Sequence, residues 1–362
     1  MKFGLFLSMY YPDTNKPYHE MLDETVQLCQ YAEELGYDAI FIPEHHFVNF
    51  ITNPSSLSLA IHIANHTKKI RLVTAVVVMP WYHPLALAEE LALVDHISNG
   101  RIELGVARGA NKYEFDRLGV DIKDSREMMN ESLDVLLKAL QEEDIKHSGK
   151  FFSFPETTTM PRPLTKPHPP IWVGAQTPEG FRNAAERGFN VFTSPLYGSF
   201  STESDFEYTL NHYKNSLLET GAKPKEFGVL RKIFVEKDRE TAEKELDLLM
   251  EQWGVFMAFY ETGGLDFRVD KADTLVEKGK VIPAKIDIAL DQLAERYDDP
   301  ILTDIDGARK KLKYYEEKGV TMFMANMQFG SDHEKVMNSL GRLGSLIPEF
   351  SSSKSLEGPV KA

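Results

Sequence analysis

Cysteine is nearly absent: the 362 residues contain one, Cys29. A single thiol excludes an internal disulfide, a cysteine-rich zinc site and an iron–sulfur cluster. Positive charge is also short, with 41 Lys plus Arg against 55 Asp plus Glu and a formal net charge of −14. Nucleic acid or an anionic membrane would repel such a chain overall, so neither is an expected partner. A local basic pocket for a phosphate stays open. No apolar run is long enough to span a bilayer. The opening Met1-Lys2-Phe3-Gly4-Leu5-Phe6-Leu7 lacks the long apolar core of a signal peptide, and the expected location is the cytoplasm. Neither G-x-G-x-x-G nor the Walker pattern occurs.

What is present is a regular alternation. Hydrophobic residues make up 42% and charged residues 27%, ordinary for a soluble globular protein. Short apolar runs at 3–8, 38–43, 70–79, 102–106, 171–174, 190–194, 227–236 and 322–327 read as strands. Segments with helical apolar spacing follow them, at 18–35, 56–66, 84–97, 124–141, 178–187, 203–219, from about 240, and at 305–318 and 333–346. The stretches 107–123 and 149–169 read as irregular. Strands that are apolar on both faces, each followed by a helix, form a parallel α/β sheet. Eight such repeats favour a closed (β/α)8 TIM barrel over an open sheet. The expected organisation is one barrel domain over 1–350, with 261–300 as a lid-like insertion and a flexible tail at 351–362.

A barrel carries its chemistry at the C-terminal ends of its strands. Glu44-His45-His46-Phe47 follows the second strand. Adjacent histidines in an extended segment point to opposite faces, so one functional and one structural histidine fit better than a metal site. His62 and His66 have zinc-ligand spacing but no glutamate between them, and read as structural. His83 reads as a cap for the helix opened by Pro84, and Asp95 as a group that orients backbone or Arg101. Arg108 stands among small residues after the fourth strand, where it can pair with a phosphate or form a salt bridge across the mouth. Arg126 sits in the first turn of the next helix, a poor place for a cation unless an anion neutralises it. After the fifth strand, Thr177 and Pro178 form a helix start whose backbone amides suit an anion. Cys29 lies on an apolar helix face and reads as a buried core thiol.

Several segments together resemble the bacterial luciferase-like family of flavin-dependent monooxygenases. They are Glu44-His45-His46-Phe47, the run from Val73 to Pro80 with His83-Pro84, the run from Asp95 to Arg101 continuing through Gly105-Val106-Ala107-Arg108-Gly109, Pro169-Pro170-Ile171-Trp172-Val173-Gly174-Ala175, and the ending 340–348. Their order and spacing span nearly the whole chain. The resemblance implies a TIM barrel, usually dimeric. It also implies reduced FMN supplied by a separate NAD(P)H-dependent flavin reductase. Reaction with O2 would give a C4a-peroxyflavin that oxygenates a small organic substrate such as an aldehyde or ketone. On the same resemblance His45 is the catalytic histidine and His46 is structural. Arg108, Arg126, Gln176, Thr177 and Gly180 lie near the FMN phosphate. Ala75, before Val76, matches a position where the family has a non-prolyl cis peptide beside the flavin ring. Tyr10, Tyr11, Phe47, Tyr197 and Tyr260 are candidates for contacting substrate, with core packing as the alternative. The sequence departs from luciferase at Ala107, where luciferase has a reactive cysteine, and at Gln176, where it has an acidic residue. Light emission is not expected. Two other readings remain on the same barrel: an F420-dependent oxidoreductase and a non-catalytic flavin-binding protein.

Overall fold

The computed structural model describes residues 1–194, 203–261, 276–282 and 301–350. Eight parallel strands close into a ring: β1 (Lys2–Phe6), β2 (Ala39–Ile42), β3 (Arg71–Thr74), β4 (Ile102–Ala107), β5 (Ile171–Gly174), β6 (Asn190–Thr193), β7 (Phe227–Val235) and β8 (Met322–Asn326). Closure is made by β8, which pairs with β1 through Lys2 opposite Met322 and with β7 through Gly228 opposite Met322. The chain is therefore a TIM barrel.

The interior follows from alternation along each strand. Phe6, Ala39, Phe41, Val73, Trp172, Phe192, Leu230, Met322 and Met324 point inward and form one buried cluster. Gly4 and Gly228 make room for it: a Cβ on Gly4 would lie 2.4 Å from the Phe41 ring, and one on Gly228 would lie 3.1 Å from the Met324 sulfur. An ion-pair chain joins residues at or just before the strand starts. Glu226 accepts from Lys2 at 2.6 Å and from Arg71 at 3.2 Å, and Arg71 also donates to Glu103 at 2.9 Å. Glu103 accepts the Trp172 indole N–H at 2.6 Å, which satisfies the polar edge of the largest interior ring.

Helices α1 (Tyr18–Leu35), α2 (Ser56–His66), α3 (Pro84–Ser98), α4 (Lys112–Leu118), α5 (Ser125–Gln141), α6 (Pro178–Arg187), α7 (Glu203–Thr220), α8 (Leu246–Glu261), α9 (Ile305–Lys318) and α10 (His333–Gly344) connect the strands. Cys29 is fully buried on α1. His83 caps α3 by accepting the Leu85 N–H on Nδ1 at 3.3 Å. Asp95 is also structural, but its partner is Thr165, whose N–H and hydroxyl it accepts at 2.7 and 2.9 Å. Arg101 instead ties the end of α2 to β3, donating to the carbonyls of Ala64 and Ile70.

Three local expectations are corrected. The run 70–79 is not one strand. It breaks after Thr74, resumes as Val77–Val78 beside Val106 and Ala107, and enters a short 3-10 turn at Met79–Trp81. The stretch 107–123 contains α4, whose seven residues are too few to show a clear helical period. The stretch 149–169 opens on a strand, Ser153–Thr157, that pairs antiparallel with Ile145–Ser148. A further strand, Ile301–Thr303, extends the sheet beside the end of β7.

Of the 261–300 segment, Glu261 and residues 276–282 are described. There Val276–Glu277 pairs antiparallel with Lys280–Val281, and the Val281 N–H donates to Asn49 Oδ1 at 3.0 Å. The short hairpin thus rests on the loop after β2. Residues 351–362 lie outside the described residues, as does Tyr197. No described helix is long and apolar enough to cross a membrane.

Candidate active site

The loop after β2 is held by its own backbone before any functional group is placed. The Asn53 side-chain amide donates to the Pro43 carbonyl at 2.6 Å, and the Asn53 backbone carbonyl accepts the His45 N–H at 3.0 Å. His45 is thereby fixed against α4. Its Nδ1 lies 3.1 and 3.2 Å from the two carboxylate oxygens of Glu114, which is 1% exposed. The same carboxylate accepts the His46 N–H at 2.7 Å. An Nδ1–H donated to a carboxylate makes Nε2 the basic nitrogen of the ring. Phe50 and Phe259 flank the imidazole edge to face, each with its centroid 5.9 Å away. Glu114 is itself positioned by Asn111, which caps α4 and donates to the Phe259 carbonyl at 2.8 Å, tying α4 to α8.

His46 turns the other way. Its Nε2 lies 3.2 Å from Glu44 Oε1, and its ring packs edge to face on Trp81 at 5.0 Å. Burial holds the Glu44 carboxyl above its usual range, with His46 acting in the opposite sense. The neighbouring histidines are therefore split, one on the α4 carboxylate and one packed beneath the loop.

Where β3 breaks, Thr74 repairs the seam to β4. Its hydroxyl donates to the Gly105 carbonyl at 2.8 Å and accepts the Gly105 N–H at 2.8 Å. A Cβ on Gly105 would lie 1.9 Å from the Thr74 carbonyl oxygen, so this approach requires glycine. The next peptide, Ala75–Val76, is cis, as the resemblance implied. Both residues are partly buried and pack on the inner cluster. Gly174 on β5 lies nearby, with Val76 3.8 Å from where its Cβ would be.

Arg108 follows β4. Its guanidinium makes a 3.4 Å contact with Ser125 Oγ, and among the described residues no carboxylate pairs with it. Burial lowers its pKa, and the positive charge of Arg126 lowers it further. Arg126 reaches across to Glu179 at the start of α6 at 2.9 Å, with both side chains exposed. Thr177 caps α6 by accepting the Gly180 N–H at 3.2 Å. Gln176 sits half-buried between the barrel mouth and this cap. The structure therefore brings Arg108, Arg126 and the α6 start to one side of the mouth, with a cationic excess at Arg108.

The aromatic candidates divide. Tyr10 is partly buried against the main core, and burial with Glu251 pushes its hydroxyl up to about 12. Phe47 is 47% exposed, adopts φ 65° and leans on His46 at 5.6 Å. Tyr11 is committed to structure, donating to the Lys16 carbonyl and packing on Tyr18. Tyr260 belongs to α8, but its side chain lies outside the described residues.

Two groups were not anticipated from the sequence. Glu114 lies in the stretch read as loop, and only its neighbours Tyr113 and Phe115 hinted at a buried turn. Lys232 lies within β7, FGVLRKIFV, where two adjacent cations in an apolar strand were the overlooked signal. Its ammonium donates to Gln252 Oε1 on α8, and burial lowers its pKa to about 7. Gln252 donates in turn to Ser8 Oγ at 2.8 Å and to the Gln328 carbonyl at 3.0 Å.

Comparison with known proteins agrees with this geometry. The family model described as luciferase-like monooxygenase matches residues 1–295. The oxygenase component of the flavin-dependent trigonelline monooxygenase of Acinetobacter baylyi is 32% identical, over 98% of this chain and 97% of that one. The alkanal monooxygenase alpha chain of the Kryptophanaron alfredi symbiont is also 32% identical, over 61% of this chain and 60% of its own. Among solved structures, the oxygenating constituent of 3,6-diketocamphane monooxygenase from Pseudomonas putida, in complex with FMN, superposes with a TM-score of 0.78 at 19% identity, covering 96% of this chain and 97% of that one. On a barrel closed by β8, with a family model matched over residues 1–295 and a relative 32% identical over nearly its full length, the chain belongs to the luciferase-like family of flavin-dependent monooxygenases.

Proposed function

We propose that this chain is the oxygenase half of a two-component system. It takes reduced FMN from a separate NAD(P)H-dependent flavin reductase and uses O2 to oxygenate a small organic substrate such as an aldehyde or ketone. The observation that carries the reading is the cationic excess at Arg108. A half-buried guanidinium that meets no carboxylate among the described residues, and with a second arginine acting on it, fits a phosphate group from the ligand. In this reading Arg108, Arg126 and the Gln176–Thr177–Gly180 turn hold the FMN phosphate, and Ala75 faces the flavin ring. Bound reduced FMN supplies the two electrons that activate O2.

The chain's own contribution is proton handling and exclusion of water. Glu114 fixes the His45 ring so that Nε2 takes up or returns a proton at the reacting oxygen. In this reading Phe50 and Phe259, packed edge to face on the His45 ring, exclude water beside it. Tyr10 and Phe47, with Tyr197 and Tyr260, are proposed to contact substrate. The hairpin at 276–282, seated on the loop after β2, supports assigning 261–300 as a lid. The exposed Leu93 and Ile97, one turn apart on α3, support a homodimer, and the proposed location is the cytoplasm.

The test is a turnover assay with photoreduced FMN and 18O2 across a panel of aldehydes and ketones. One 18O atom in the product is the expected result. Tight binding of F420 with no binding of FMN would instead select hydride transfer. Flavin binding with no turnover of any substrate would select a storage role.

A further inference from the structure

Within β7, alternate residues Gly228, Leu230 and Lys232 share one side of the strand, and Leu230 belongs to the inner cluster. Lys232 thus stands above the packed interior, at the mouth, opposite Asn326 in the β7–β8 register. Both are 6% exposed. The ammonium has three donor hydrogens, and among the described residues its hydrogen-bond partner is the neutral Gln252 carboxamide and its ring contact is Trp253 at 5.5 Å. No carboxylate faces it from β8, α8 or the end of β1 among the described residues, which present Asn326, Gln252 with Trp253, and Ser8. The Oδ1 of Asn326 is buried with no hydrogen-bond partner. A buried cation without an anion beside a buried amide without a partner is an incomplete arrangement: each group loses hydration and only part of it is replaced.

The surroundings connect this place to the catalytic histidine. Trp253 packs on Phe256 at 5.4 Å, Phe256 on Phe50 at 5.6 Å, and Phe50 on His45 at 5.9 Å. A line of rings from α8 and the β2 loop therefore runs from Lys232 to His45, polar at its two ends and aromatic between them.

We propose that Lys232 and Asn326 form a recognition subsite for a carboxylate on the organic substrate, so that the enzyme acts on organic acid anions whose reacting end lies toward His45. This deepens the oxygenase reading and rests on it. The ammonium would donate to one carboxylate oxygen, and the Asn326 amide, turned over, would donate to the other. Lys232 is a specificity residue here, and no bond to it is made or broken. Burial lowers the pKa of the ammonium to about 7, and a bound anion would raise it again and keep the group charged.

The test compares benzoate, nicotinate and octanoate with their carboxamides by calorimetric titration into the full chain, with and without oxidised FMN. At least one carboxylate is expected to bind about tenfold or more tightly than its amide at pH 6.5. Lys232→Met should abolish that preference while FMN affinity is kept, and Lys232→Arg should retain part of it. If no carboxylate binds in preference to its amide, or if Lys232→Met keeps the preference, the subsite does not exist. Those outcomes leave the oxygenase reading intact as long as wild-type protein binds FMN and incorporates 18O. Loss of both of those properties would defeat the oxygenase reading itself.

Discussion

The Nδ1 of His45 lies 3.1 Å from a carboxylate oxygen of Glu114, a residue 69 positions further along the chain and buried on a separate helix. On the proposed oxygenase reading the pairing makes Glu114 a positioning residue, one that selects the ring tautomer and assigns the chemistry to Nε2. Replacing His45 by Ala should reduce oxygenation by about 10²–10⁴-fold with FMN affinity unchanged. Glu114→Gln keeps the shape but loses the charge, so it should lower kcat while KM holds. Steady-state kinetics beside a flavin titration would decide this. A His45→Ala enzyme with full turnover would remove the histidine from the mechanism.

Arg108 is the second point of leverage. If its charge meets the phosphate, Arg108→Ala removes a charge-assisted contact of about 1.5–3 kcal/mol, roughly a ten- to hundredfold loss of FMN affinity. Riboflavin, which lacks the phosphate, should bind equally well to both proteins. Fluorescence quenching with the two flavins measures this directly. Equal weakening for both would place Arg108 against the ring or in the scaffold.

The Thr74–Gly105 seam makes a stability prediction. A Cβ on Gly105 would overlap the Thr74 carbonyl at 1.9 Å. Gly105→Ala should therefore destabilise by about 3 kcal/mol or more, the upper end of overpacking effects. Gly119 provides the comparison. It has φ +73° and nothing within 4 Å of a Cβ, so Gly119→Ala should cost about 1 kcal/mol from backbone conformation alone. Urea melts of the two variants would separate steric overlap from backbone preference.

Lys232 links stability to pH. Its folded pKa is lowered from 10.5 to about 7 by burial. Between those values the unfolded chain binds the proton and the folded chain has released it, so stability rises with pH across that window. Below about pH 7 both states are charged and the penalty for burying the charge is fully present. Around the ammonium, β8 contributes Asn326 and α8 contributes Gln252 and Trp253, with Ser8, just past β1, accepting from Gln252. On β7 itself the neighbouring Arg231 lies over Tyr315, with 5.3 Å from guanidinium to ring centroid. Thermal melts of wild type from pH 6.5 to 9.5 should show the rise, and Lys232→Met should flatten it. An identical slope in both proteins would show that Lys232 is not the group responsible.

Local patterns were enough to read the barrel. Apolar runs and amphipathic segments alternate with a spacing that only a parallel sheet with a helical shell can bury, and the last turn of that count closes the ring through β8. They also placed a helix at 305–318, where the structure has α9, which it shows capped by Asp304 and ended at Gly319. The apolar stretch after Ile70 misled for a physical reason. Composition reports burial and β-branching, and the run of Val73, Thr74, Val76, Val77 and Val78 reads as one strand, while the break depends on Thr74 satisfying Gly105 from across the sheet.

The amino-acid sequence by itself determined that His45 follows a strand and that Arg108 stands among small residues, because both facts depend on neighbours in the chain. It could not determine which partners they meet. Glu114 reaches His45 only because Asn111 caps a seven-residue helix and anchors it to Phe259, a contact 148 residues away. Lys232 loses its water, and meets no anion among the described residues, only because β7, β8 and α8 converge on it. Burial and charge compensation are properties of what packs around a residue, and tertiary structure alone decides them.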